Sequence, residues 1–104
     1  MGNALAFYGP AITEVELRGL ASKGARIEIL ALKDTYIEVG TIKGEWRIDF
    51  ISAEDLRYAV RLSQRSEVKI YKTPASIFNL CTSIGLDSAN IPLKSGTSVA
   101  LECV

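Results

Sequence analysis

The chain is 104 residues long, 48% hydrophobic and 23% charged, with 12 basic and 12 acidic side chains. That length suits a single domain over residues 1–104, and the composition is globular, which excludes a disordered chain. No apolar run approaches the roughly 18 residues a membrane span needs, and the absence of histidine removes the commonest general base and metal ligand.

An N-terminal arm covers residues 1–12, irregular through Gly9-Pro10, with Phe7 and Tyr8 either folded over the core or held out as a handle. It lacks the basic region and long apolar stretch of a secretory signal, so a cytoplasmic location is the expectation. Thr13–Leu20 alternates: Glu14, Glu16 and Arg18 on one side, Val15 and Leu17 on the other. That is the period of a half-buried strand. A helix starting at Pro10 competes, since Ala, Glu, Leu and Arg favour helix. The strand is preferred because Ile12, Val15, Leu17 and Leu20 spread around a helical wheel. After a turn at Ser22-Lys23-Gly24, Ala25–Leu32 sets Ile27, Ile29 and Ala31 against Arg26, Glu28 and Leu30. Asp34-Thr35 turns the chain into Tyr36–Ile42, with Ile37 and Val39 inward and Tyr36 and Glu38 outward. Lys43-Gly44-Glu45 turns it again into Trp46–Ile51, where Trp46, Ile48 and Phe50 oppose Arg47 and Asp49. Short turns between alternating runs predict a four-stranded antiparallel meander.

Ser52-Ala53-Glu54-Asp55 reads as a helix start, a hydroxyl cap followed by acids in the first turn. The helix runs to Arg65 with Leu56, Ala59, Val60 and Ser63 inward. Glu67–Lys72 is the next strand, Val68 and Ile70 inward and Lys69 and Tyr71 outward. Thr73-Pro74 opens a second helix with Ile77, Leu80, Cys81 and Ile84 as its apolar stripe and Gly85 at its end. Residues 86–96 form a loop, and Thr97–Val104 is a closing strand. The order is a meander followed by α-β-α-β, an α+β fold with a mostly antiparallel sheet and its helices packed on one face. Cys81 and Cys103 are expected as two reduced, buried thiols.

The neutral total hides a segregated charge. Residues 56–72 hold five basic groups against one acid, whereas residues 1–55 hold six against nine. On a helix, Arg57, Arg61 and Arg65 project as one basic ridge, with Lys69 and Lys72 following. Such a ridge suits phosphates, although a solvated outer face is the plainer reading. The outward sheet face mixes acids, bases and two tyrosines, which favours a cross-strand ion-pair ladder over a bare RNA-binding surface. Trp46 reads as core, with the mouth of a groove as its alternative place. Glu54-Asp55 serves the helix dipole, Lys94-Ser95-Gly96-Thr97 lacks the spacing of a phosphate loop, and nothing suggests an enzyme. One Gln and one Met lean towards a heat-adapted source, and the ordinary charged fraction leans against it.

Trp46-Arg47 and the Arg57/Arg61/Arg65 ridge, set in a meander with flanking helices, resemble the short, zipper-less relatives of the ThermoDBP family, single-stranded DNA-binding proteins of hyperthermophilic archaea. The similarity spans residues 13–85. It implies a cleft with an apolar floor and basic sides that takes up single strands with little sequence preference. The chain has no heptad segment, which departs from full-length members that dimerise through a C-terminal zipper.

The expectation is a non-enzymatic nucleic-acid-binding module without cofactor or metal, its partner single-stranded DNA before RNA. Arg57, Arg61, Arg65, Lys69 and Lys72 would neutralise phosphates, and Tyr36, Trp46, Arg47 and Tyr71 would stack or position bases. The alternative is a structural subunit, a homo-oligomer among others, assembling through its sheet face or through the edge strand Thr97–Val104.

Overall fold

The computed structural model describes residues 10–65 and 67–103, so most of the expected arm, including Phe7 and Tyr8, lies outside the described residues. The elements in order are β1 (Ala11–Ile12), α1 (Glu14–Leu20), β2 (Arg26–Ala31), β3 (Tyr36–Glu38), β4 (Thr41–Lys43), β5 (Trp46–Ile51), β6 (Arg57–Val60), α2 (Pro74–Ser83) and β7 (Ser98–Glu102). The segments with the clearest period-two alternation occupy the middle of the sheet. β2 and β5 pair antiparallel, with Ile27 opposite Phe50, Ile29 opposite Ile48 and Ala31 opposite Trp46, all of them buried. β7 adds antiparallel to the far side of β2, β6 adds antiparallel to β5, and β1 runs parallel to β6. The five-stranded order is β1-β6-β5-β2-β7, and β3 and β4 form a hairpin of their own. The fold is α+β with a mostly antiparallel, mixed sheet.

α2 forms as its sequence predicts. Thr73 Oγ1 accepts the Ser76 N–H at 3.3 Å, and Pro74 fills the first turn, where its missing N–H costs nothing. At the other end Gly85 takes φ 83°. Its N–H bonds Thr82 O at 3.1 Å while Leu86 N–H bonds Cys81 O at 3.1 Å, the paired closure that a left-handed glycine permits. Ile77, Leu80 and Cys81 of α2 and Leu17 of α1 belong to the same buried cluster as the inward residues of β2 and β5. Cys81 and Cys103 are buried and not disulfide-bonded, and burial pushes both thiols up.

Five expectations are corrected. Ala11–Ile12, assigned to the arm, is a short strand. Residues 13–20 form a helix instead of a strand. Thr13 Oγ1 accepts Glu16 N–H at 3.2 Å and Glu16 Oε1 accepts Thr13 N–H at 2.8 Å, a reciprocal cap that secures the first turn. The scatter of apolar residues is real, since Leu17 is buried while Val15 and Leu20 are exposed, but the cap and one anchor suffice. Tyr36–Ile42 is broken by a two-residue turn at Val39-Gly40, which leaves Ile37 and Val39 exposed. The helix expected over 52–65 is a tight turn and a strand. Asp55 at φ 65° ends the helical path, and Ser52 N–H bonds Leu56 O at 2.9 Å. Tyr58 and Val60 are both strand formers; Tyr58 stands opposite Phe50, and Val60 joins the buried cluster. The meander is therefore absent. Nor is 67–72 a regular strand: it touches the sheet through isolated bridges at Arg61–Val68 and Trp46–Tyr71.

Candidate functional site

The cationic residues singled out by the sequence do not gather into one surface. Arg57 lies on β6, on the outward side of the sheet. In register, Glu28 and Asp49 stand directly opposite each other on β2 and β5, an arrangement that like charges oppose. Arg57 Nη1 bridges them, 2.8 Å from Glu28 Oε1 and 2.7 Å from Asp49 Oδ2. Those two carboxylates hold the guanidinium above its ordinary pKa. Arg47 Nη2 meets the other oxygen of Asp49 at 2.7 Å. Asp49 is 8% exposed, the only buried charged residue among those described. Arg57 and Arg47 thus belong to the ion-pair ladder.

Arg61, Lys69 and Tyr71 come together elsewhere, around Glu14 of α1. Lys69 Nζ lies 2.8 Å from Glu14 Oε2, the Tyr71 hydroxyl donates to the same oxygen, and Arg18 Nη2 is 3.5 Å from Oε1. Burial alone would raise the Glu14 carboxyl. The hydrogen bonds from Lys69 and Tyr71, with the charges of Lys69 and Arg18, outweigh it and hold the pKa below the usual carboxylate range. Burial, then the bond to Glu14, pushes the Tyr71 phenol far above its normal value. Arg61 is 3.9 Å from Glu16 and donates to Leu62 O at 3.1 Å. Arg18, Arg61 and Lys69, with Glu14, line a surface pocket of about 250 Å³.

The remaining expected residues are dispersed. Lys72 sits 3.7 Å from Glu45, and Arg65 has no carboxylate partner among the described residues. Tyr36 is half-exposed on the separate hairpin under the Lys33 ammonium, 5.1 Å from the ring centroid. Two stacking assignments are corrected, because Trp46 and Tyr71 are 0% and 1% exposed and offer no ring face to a base. The Trp46 indole N–H is spent on Pro92 O at 2.8 Å. Gly44 lies so close that a Cβ there would stand 2.7 Å from Trp46 Cη2.

Among the described residues, the edge of β7 has backbone groups without a partner. Cys103 N–H bonds Ala25 O at 2.9 Å and Ala31 N–H bonds Thr97 O at 2.9 Å. By the alternation of antiparallel pairs, Val99, Leu101 and Cys103 turn their peptide groups towards β2, as does the Thr97 carbonyl. Ser98, Ala100 and Glu102 turn theirs outward. Among the described residues, no strand lies beyond β7 and no main-chain partner meets those three residues. All three are exposed. β7 carries no proline, no lysine and no left-handed residue, three of the devices that blunt an edge, and its one charge is Glu102 at its C-terminal end. The other edge, β1, has only two residues. A groove of about 380 Å³ between Leu86–Ser88 and Ala100–Glu102 flanks the open edge.

Among the described residues no cluster of His, Cys, Asp or Glu is placed to hold a metal, and no helix is long and apolar enough to cross a membrane. Compared with known proteins, the chain matches no family model, no curated sequence and no solved structure.

Proposed function

We propose that this chain is a non-enzymatic interaction module that takes up an additional β-strand along the open edge of β7. The observation that carries this reading is the row of outward peptide groups at Ser98, Ala100 and Glu102, exposed and without a main-chain partner among the described residues. Main-chain hydrogen bonds would supply affinity, and alternate side chains would supply selectivity. The test is a chemical-shift titration of the whole chain, dilute enough to be monomeric by light scattering, with a capped peptide of residues 97–102. Shifts centred on the Ser98, Ala100 and Glu102 amides are expected. Millimolar peptide without effect on those amides would end the edge reading.

A second reading, binding of single-stranded nucleic acid, keeps one observation in its favour: Arg18, Arg61 and Lys69 line a common pocket. Against it, Glu14 and Glu16 already engage that trio, and Arg57 and Lys72 face carboxylates elsewhere. Gel shifts with labelled single strands at two salt concentrations separate the two readings. Salt-sensitive retardation supports nucleic acid, and none at low salt removes it.

A further inference from the structure

Resting on the open-edge reading, we infer that the strand taken up by β7 is β7 of a second copy, antiparallel about a two-fold axis through Ala100. An isologous contact requires the edge to complement itself. Outward-bonding residues must face outward-bonding residues, so the candidate registers are those that set Ser98, Ala100 and Glu102 against one another. Centring the axis on Ala100 is the register that uses all three, pairing Ser98 with Glu102 of the second copy, Ala100 with Ala100 and Glu102 with Ser98. Three narrow pairs of two bonds each give about six main-chain hydrogen bonds.

The side chains select the same register. The Ser98 hydroxyl stands opposite a Glu102 carboxylate as a donor facing an acceptor. Ala100 at the axis places two methyl groups together, the smallest side chain that stays in an ordinary strand conformation. On the core-facing side Val99 meets Leu101, extending the apolar layer across the junction; Leu101 already packs against the core. Sliding the axis to Glu102 would set two carboxylates against each other, which opposes pairing. The two sheets would join into one continuous sheet, closing both β7 edges at once.

Residue 98 provides the test, because its neighbour within the chain is the uncharged Leu30. Ser98→Glu places a carboxylate opposite Glu102 at both ends of the contact, and Ser98→Lys places an ammonium there. Light scattering over a dilution series is expected to give twice the mass of one chain for the wild type. Dissociation should be at least tenfold easier for Ser98→Glu and harder for Ser98→Lys at low salt, with unchanged melting of the dilute monomers. A wild type with the mass of one chain at every concentration overturns the inference. If the residue 97–102 peptide still shifts the edge amides, only the second copy has failed; if it does not, the open-edge reading has failed as well. A dimer indifferent to both substitutions overturns the register.

Discussion

Replacing Val39 with Asn should stabilise the β3–β4 hairpin. Val39 and Gly40 are the central residues of a two-residue turn closed by Glu38 opposite Thr41, with φ of 50° and 74°. Positive φ at both positions is the pattern that matches the twist of a hairpin, and Asn-Gly is its preferred sequence. An L-residue in the left-handed region costs roughly 1–2 kcal/mol, and branching at Cβ makes valine a poor occupant. Asn bonds locally and tolerates the region, so about 0.5–1 kcal/mol should be recovered. Nothing offsets that gain, because Val39 is 98% exposed and buries no surface. If the hairpin melts with the rest of the chain, the midpoint rises by roughly 2–8 °C. Fluorescence of Trp46, the one tryptophan of the chain and fully buried, reports global unfolding. If the hairpin opens by itself, amide exchange in β3 and β4 slows by roughly two- to fivefold. Val39→Ala, which keeps the φ penalty, should gain less. An Asn variant with neither a higher midpoint nor slower exchange would refute the strain.

Three further substitutions probe the core and the ion pairs. Gly44→Ala drives a methyl into the buried Trp46 ring, which is held by Pro92, and should destabilise by about 1–3 kcal/mol in urea unfolding. Glu14→Gln weakens the site that Lys69, Tyr71 and Arg18 share, at a cost of about 1–2 kcal/mol at neutral pH given its partial exposure. The Glu14 pKa lies below 4.5 in the fold, so the carboxylate's contribution is complete above the unfolded value and lost as pH falls through the folded one. The stability gap between wild type and Glu14→Gln should therefore narrow as pH falls below about 4.5; a gap that does not narrow on acidification would contradict the hydrogen-bond account. Arg57→Met leaves Glu28 and Asp49 facing each other without their bridge, and should cost about 1–2 kcal/mol, less at high salt. Should oligonucleotide affinity fall instead while stability holds, the ladder assignment of Arg57 is wrong.

Much of the core was legible in the residues. The alternation of 25–32 and 46–51, the apolar stripe and caps of 73–85, and the burial of both cysteines needed only local period and local chemistry. The capping signal Thr13-x-x-Glu16 was also present, and it outweighs an alternation of eight residues because it satisfies two donors that water would otherwise serve. Gly40 was half of a hairpin signal whose other half, Val39, disfavours the turn. The arginine spacing misled for a geometric reason. Four residues is close to one helical turn and is also two strand repeats, so Arg57 and Arg61 fit either period.

The amino-acid sequence by itself determined an α+β domain, its central strands, its second helix and a charge concentrated in residues 56–72, because hydrophobic period and capping act over a few residues. Only the tertiary structure decided that Arg57 answers Glu28 and Asp49, that Lys69 and Tyr71 answer Glu14, and that β7 is the last strand of the sheet among the described residues. Those outcomes depend on which distant segments lie side by side. A charge exposed in the extended chain is neutralised, and a peptide group is satisfied or left open, by neighbours that folding alone supplies.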